Sequence, residues 1–168
     1  MKIENRATLI SYSATFIALI AAGSWISIPF VPLPLTLQTF FVLLAGVVMR
    51  RHAVIPVMLY LAMGALNLPV FHNGTAGIGI LLGPTGGFLI GFVFAALIVG
   101  LAYEREERSI RIAGLIFSSA IIYLFGVSWL SYSASIPLFE AALLGMVPFI
   151  LGDVVKLFAA YKIGERLD

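Results

Sequence analysis

The sequence predicts an all-α integral membrane protein with six transmembrane helices, forming a single membrane domain over residues 1–168. The chain is 61% hydrophobic and 11% charged, with a mean hydropathy of +1.09. A soluble domain of this size does not need that much apolar surface, so the chain belongs in a lipid bilayer. It has no cysteine, which excludes disulfides, thiolate metal sites and cysteine nucleophiles.

The first predicted span covers residues 8–28. Ala14, Ala18 and Ala22 recur every four residues within it and form a stripe of small side chains on one face. Such a stripe allows another helix to approach closely. The neighbouring helix is either part of this same protein or part of a partner, and the spacing does not decide between them.

The second and third spans are predicted at residues 35–49 and 53–66, separated by Arg50, Arg51 and His52. The connection that precedes them contains Pro29, Pro32 and Pro34, so it cannot be helical throughout.

Residues 67–85 form a long outer loop that is rich in glycine and contains no Lys, Arg, Asp or Glu. A loop in free solvent is normally more polar. Irregular backbone with this composition is expected to fold against the helices and to line a cavity at membrane depth. The remaining spans are predicted at 86–103, 112–130 and 148–167, with a charged cytoplasmic loop at 104–111 and a short helix at 138–147.

The basic residues predict the orientation. With the N-terminus in the cytoplasm and six spans, nine of the ten Lys and Arg residues fall on the cytoplasmic side, and the outer connections carry none. This positive-inside pattern places both termini inside and the loop 67–85 outside. Lys156 is the remaining basic residue, and it lies within the last span.

Asp153 and Lys156 are the charged pair in that span, three residues apart on one face of the helix. A charge at the bilayer centre costs about 2.5–3.5 kcal/mol on insertion scales, so the pair needs either mutual neutralisation or a ligand. Gln38, Asn73, Thr85 and Phe71 are predicted at the same outer end, and backbone N–H groups at Gly86 and Gly87 would favour an anionic group. Together they suit a small, partly apolar ligand with hydrogen-bond donors and a carboxylate.

No enzyme motif accompanies this pair. The sequence lacks a phosphate-binding loop, a zinc-protease helix and a nucleophile elbow, and His72 has no second metal ligand nearby. We therefore expect no enzyme activity, no metal, no cofactor and no nucleic-acid partner. If solute moves against a gradient, ATP must be hydrolysed by a partner.

Four stretches in order resemble the BioY family: PLPLTLQTFFVLLAG at 32–46, LPVF at 68–71, GPTGGFLIG at 83–91 and PFILGDVVK at 148–156. That family comprises the biotin-binding substrate components (S components) of energy-coupling factor (ECF) transporters. The resemblance implies a six-helix S-component fold in the plasma membrane, biotin as the transported ligand, and a transmembrane T protein with two ATPases as partners.

The resemblance also assigns roles to residues. Asp153 and Lys156 match the family's biotin contacts, and further contacts would fall on Asn73 and around Thr85, Gly86 and Gly87. Ala14 and Ala18, extended by Ala22, match the family's docking signature for the T protein. The chain departs from the family where glycine-glycine is usual after LPVF, since it has His72 and Asn73 there. Two other functions stay open: an S component for another vitamin, and a structural membrane subunit in which the pair only neutralises itself.

Overall fold

A computed structural model describes residues 5–28 and 33–167, so Pro29 and Pro32 lie outside the described residues. The described chain is predominantly helical. Its elements are α1 (Arg6–Trp25), β1 (Ser27–Ile28), β2 (Leu35–Thr36), α2 (Gln38–Met49), α3 (Val54–Ala65), α4 (Ile78–Leu82), α5 (Gly86–Tyr103), α6 (Arg108–Ala134), α7 (Leu138–Gly145) and α8 (Ile150–Leu167), with 3₁₀ turns at Arg50–Ala53 and His72–Gly74.

Helix α1 begins after Asn5, whose side chain accepts a hydrogen bond from the Thr8 backbone N–H at 2.7 Å, as expected of an N-cap. After α1, the two-residue strands β1 and β2 pair antiparallel, with Ser27 opposite Thr36. This small ribbon corrects the all-α prediction. The second predicted span is also shortened, because helix α2 begins at Gln38.

Helices α2 and α3 form an antiparallel hairpin. The Gln38 amide nitrogen donates to the Tyr60 hydroxyl at 2.9 Å. A continuous helix would separate these two residues by about 33 Å, so the chain must reverse between them. It reverses at Arg50, where the backbone leaves helical geometry with φ 57° and ψ −141°. Each arm has 12 residues, or about 18 Å of helix, which is short for a perpendicular span.

Helices α5 and α6 pack closely because glycines lie between them. A Cβ atom at Gly91 would come within 3.0 Å of the Ile122 backbone, and one at Gly126 within 2.2 Å of the Phe88 ring. Small residues at such crossings let two helix backbones approach in a membrane protein. This packing fixes the rotation of α6, and with it the direction of the side chain at position 123.

Helices α7 and α8 are joined with a bend of 56°. One side of α8 is apolar and exposed, with Leu151 at 83% and Val155 at 64% of full exposure. The other side is turned inward and contains Asp153 and Ala160. An apolar exposed side is what a lipid-facing helix requires.

In the described chain, four helical stretches are long and apolar enough to cross a bilayer: Arg6–Trp25, Gln38–Ala65 (with both arms of the hairpin counted together), Gly86–Tyr103 and Arg108–Ala134. The bent pair of α7 and α8 is a fifth candidate. The sequence predicted six spans. The difference arises because the 12-residue arms of the α2–α3 hairpin are each too short to qualify alone. The loop 67–85 also differs from its prediction, since it contains a 3₁₀ turn and the short helix α4.

The elements alternate between two ends of the bundle. At one end, which we call the basic end, Arg51 of the hairpin turn pairs with Glu104 after α5, and Arg108 of α6 lies 3.8 Å from Glu165 of α8. At the opposite end, the Leu37 N–H donates to Gly23 O at 3.1 Å. The loop 67–85, which is bonded to Ser24 and Ser27, and the start of α8 also lie at this opposite end.

Candidate ligand-binding site

Asp153 and Lys156 lie on the inward side of α8 and form a direct ion pair. The Lys156 Nζ donates to Asp153 Oδ1 at 2.8 Å, and each side chain is only 12% exposed. The spacing of three residues produces this contact because it places both side chains on one helix face. The pair is thus largely removed from solvent while remaining net neutral.

Tyr123 of α6 supplies a second partner for the carboxylate. Its hydroxyl donates a short hydrogen bond to Asp153 Oδ2, so both carboxylate oxygens are held, one by each neighbour. A carboxylate offers about four acceptor positions and an ammonium three donors. Asp153 can therefore accept further hydrogen bonds from donors on a ligand, and Lys156 can donate further hydrogen bonds to acceptors on it.

A cavity lies in front of this trio, with about 570 Å³ of empty space that includes part of its opening to solvent. The wall is mostly apolar and aromatic, with a few polar groups. Its apolar members include Phe88, Leu89, Phe92, Ile122 and Phe149, and its polar members are Thr36, Gln38, Thr39, His72, Thr85, Tyr123, Asp153 and Lys156.

Gln38 connects the cavity wall to the loop behind it. Its side chain is 4% exposed and donates to the Tyr60 hydroxyl, which in turn donates to Val70 O at 2.9 Å. Ser24 of α1 donates to the same carbonyl at 2.7 Å. The start of the loop is thereby tied to α1, α2 and α3 through one carbonyl group.

Two predicted site residues lie away from the cavity wall. Phe71 is fully buried in the core, where its ring packs edge-on against Tyr60 at 5.5 Å between centroids. Asn73 is exposed, has φ 55°, and accepts a hydrogen bond from Ser27 Oγ at 2.7 Å. The structure therefore gives Phe71 a packing role and gives Asn73 a role in joining the loop to β1.

Gly86 and Gly87 also lie off the cavity wall, at the start of α5. A Cβ at Gly86 would fall 1.7 Å from Leu81 O, and one at Gly87 would fall 2.3 Å from Trp129 Cβ. The Gly86 N–H already donates to Gly83 O at 3.0 Å, so it is not free to bind an anion. Both glycines permit close packing of α5, whereas the adjacent Thr85 lines the cavity.

The BioY family profile matches residues 1–168 of this chain. The chain belongs to the BioY family. It is 41% identical to the biotin transporter BioY of Thermotoga maritima over 154 residues, covering 90% of each chain. It is 40% identical to the probable biotin transporter BioY of Pyrococcus horikoshii over 164 residues, covering 97% of this chain and 98% of the relative.

A solved structure of the S-component for biotin from an ECF-type ABC transporter superposes on this BioY chain with a TM-score of 0.85. The two are 29% identical, and the match covers 99% of this chain and 94% of the solved one. The fold of the present BioY chain is therefore the ECF S-component fold, and the chain is a membrane protein of a transporter family.

Sequence reasoning did not single out Tyr123 of this BioY chain as a site residue. The only available signal was a hydroxyl-bearing ring in the middle of the apolar segment 112–130, and a tyrosine there also fits a packing role.

His72 was considered only as a metal ligand and set aside, yet it lines the cavity. Burial lowers the pKa of its imidazole below the ordinary value. Among the described residues, no group of three or more His, Asp or Glu side chains could hold a metal ion.

The alanine stripe of this BioY chain lies on the outer surface of α1. Ala14, Ala18 and Ala22 are exposed, while Phe16 and Ile20 on the other side of the helix are buried in the core. Within the described residues, the stripe is therefore not used for packing inside the protein. It remains open to a partner or to lipid.

Proposed function

We propose that this chain is a biotin-binding S component that mediates biotin uptake. The observation that carries the proposal is the hydrogen-bonded trio of Asp153, Lys156 and Tyr123, largely removed from solvent, on the wall of a mostly apolar cavity. Biotin has two ureido N–H donors, one carbonyl acceptor, an apolar bicyclic ring and a carboxylate tail. Each of these parts has a chemical counterpart in the cavity.

In the proposed complex, Asp153 accepts from a ureido N–H and Lys156 donates to the ureido carbonyl. Charge-assisted hydrogen bonds of this kind are roughly twice as strong as neutral ones. The apolar ring then packs against Phe88, Phe92 and Phe149, which lie on the same wall. Gln38 and Thr85, which also line the cavity, are the other proposed contacts.

We propose that the six long segments (α1, α2, α3, α5, α6 and α8) each cross the plasma membrane. The alternation of these segments between the two ends of the bundle supports six crossings, and local thinning of the bilayer is one way to accommodate the short α2–α3 arms. The Arg residues at the basic end support a cytoplasmic position for that end and for both termini by the positive-inside rule. The cavity then faces outward, where biotin is captured.

The proposed partners are a transmembrane T protein and two ATPase subunits. The exposed stripe of Ala14, Ala18 and Ala22 is the proposed docking surface for the T protein, since small side chains let a second helix approach in lipid. The ATPases supply energy by hydrolysing ATP, for which the sequence of this chain shows no phosphate-binding loop. Biotin is then released inward when the whole S component tilts against the T protein.

The test is a titration of the purified chain with labelled biotin, followed by competition with unlabelled biotin, thiamine and riboflavin. We expect saturable binding that only biotin displaces. Displacement by thiamine or riboflavin instead would assign the cavity to another vitamin. Absence of binding at micromolar biotin, or unchanged binding after Asp153→Asn combined with Lys156→Ala, would overturn the proposal and leave a structural ion pair.

A further inference from the structure

His72 lies in the loop between α3 and α4 and lines the same cavity as Asp153 and Lys156. Its side chain is half-buried, and its Nδ1 atom is fully buried without a hydrogen-bond partner among the described residues. A buried polar atom without a partner is energetically unfavourable. The imidazole is therefore not placed by bonds of its own, and something else must hold it at the cavity.

Hydrogen bonds to the main chain hold the backbone of His72 beside the cavity. The His72 carbonyl accepts from both the backbone N–H of Thr75 at 3.1 Å and the Thr75 hydroxyl at 2.8 Å. The preceding residue, Phe71, is fully buried against Tyr60. The backbone of His72 is thus positioned before any ligand arrives, which lowers the entropy cost of a ligand contact.

The imidazole is neutral at pH 7. A proton on the buried Nδ1 would leave a donor without an acceptor, and burial lowers the pKa of this group. The titratable groups that share the cavity are Asp153 and Lys156 on α8 and Tyr123 on α6. Asp153 is already paired with the other two, so no unpaired anion holds a proton on His72. Unpaired buried acceptors are tolerated better than unpaired N–H groups, which puts the single proton on Nε2.

A ligand carboxylate needs a donor besides Lys156 when the α8 pair binds the ureido group. Asp153 and Lys156 neutralise one another, and in the proposed complex they serve the ureido group. The carboxylate is also the most costly part of such a ligand to bury, so it belongs nearest the opening. His72 lies on the loop 67–85 and is more exposed than Asp153, which is 9% exposed when its backbone is included.

We infer that His72 is a specificity residue for the carboxylate tail of the ligand and that its Nε2–H donates to a carboxylate oxygen. This inference rests on the proposed function, because it assigns one end of the proposed ligand. In this complex His72 contacts one end of the ligand from the loop, whereas the α8 pair recognises the opposite end.

The experiment compares two ligands on three proteins. The ligands are biotin and an analogue whose tail ends in a methyl group in place of the carboxylate. The proteins are wild type, His72→Phe, which keeps a ring but has no N–H, and His72→Gln, which keeps a donor. We expect His72→Phe to weaken biotin binding about tenfold, as loss of one charge-assisted bond should, and to leave the methyl analogue nearly unchanged. His72→Gln should recover most of the biotin affinity.

Binding of the methyl analogue to His72→Phe shows at the same time that the variant is folded. Equal losses for both ligands, or no loss for biotin, would overturn the role of His72 while leaving biotin binding by the wild type intact. Failure of the wild-type protein to bind biotin would instead overturn the proposed function together with this inference. The two failures are therefore distinguishable within one set of titrations.

Discussion

Ion pairs occur at both ends of the helical bundle, and one pair from each end can be compared because the two lie in opposite environments. At the basic end, Arg51 donates to Glu104 at 2.5 Å with side-chain exposures of 63% and 25%. At the other end, Lys156 donates to Asp153 at 2.8 Å, with both side chains 12% exposed. The contacts are similar in length, but only the second pair has been taken out of solvent.

The difference indicates what each pair is for. Solvent-exposed pairs contribute little to stability, because water and salt screen them. A buried pair pays a desolvation penalty that its attraction often fails to recover, so its presence is weak evidence for a stabilising role. The Asp153–Lys156 pair also has a third partner, Tyr123, and a cavity beside it. We propose that the Asp153–Lys156 pair serves ligand binding and not stability.

The largest effect is expected from Asp153→Ala. It leaves Lys156 buried beside the cavity without its counter-charge, and removing one member of a buried pair costs about 3–5 kcal/mol. We expect a clear fall in melting temperature in detergent and loss of biotin binding, measured by thermal shift and by titration. Unchanged melting would show that the pair is better solvated than its 12% exposure implies.

A smaller effect is expected from Tyr123→Phe, which removes only the hydroxyl that donates to Asp153 Oδ2. The carboxylate keeps Lys156 but loses its second anchor, and a hydrogen bond to a charged group contributes about 1.5–3 kcal/mol. We expect biotin affinity to fall roughly tenfold, with the melting temperature nearer to wild type than that of Asp153→Ala. Tighter binding by Tyr123→Phe would mean that the tyrosine competes with the ligand for the carboxylate.

The smallest effect is expected at the basic end, where Arg51→Gln combined with Glu104→Gln removes the exposed pair. Biotin affinity should stay at the wild-type value, and the melting temperature should change less than with either substitution at the cavity. The Arg51 guanidinium holds the pKa of the Glu104 carboxyl below its ordinary value. Any stability from the pair is therefore present at neutral pH and is lost as the pH falls through the folded-state pKa of Glu104.

Melting temperatures of the wild type and this double variant, measured by thermal shift from pH 7 down to pH 3, check this predicted pH dependence. The difference between the two proteins should shrink at the acid end. A difference that grows on acidification would contradict the assigned ionisation of Glu104.

The sequence was enough to predict that Asp153 and Lys156 lie together, because charges inside an apolar segment are costly and an i, i+3 spacing puts them on one face. It was not enough to find Tyr123. Its contact with Asp153 depends on the rotation of α6, which is set by packing of α5 at Gly91 and Gly126 and leaves no periodic signal.

The loop 67–85 shows a second limit. Its glycine content predicted irregular backbone beside a cavity, and His72 and Thr85 do line the cavity. Which loop side chains point there depends on the 3₁₀ turn at His72–Gly74, where Asn73 adopts φ 55°. That turn places Phe71 in the core and Asn73 at the surface, and composition alone does not reveal it. Ligand contact by Phe71, Asn73, Gly86 and Gly87 stays a prediction without support from their positions.

The most direct test of ligand binding as the role of the buried pair is a biotin titration of the double variant Asp153→Asn, Lys156→Met, alongside its melting temperature. The substitutions remove both charges while keeping similar volume, so no unpaired charge is left behind. Since replacing a whole buried pair is often neutral or stabilising, we expect melting close to wild type. We expect biotin binding to be lost. A double variant that melts as the wild type does and still binds biotin with wild-type affinity would contradict that role.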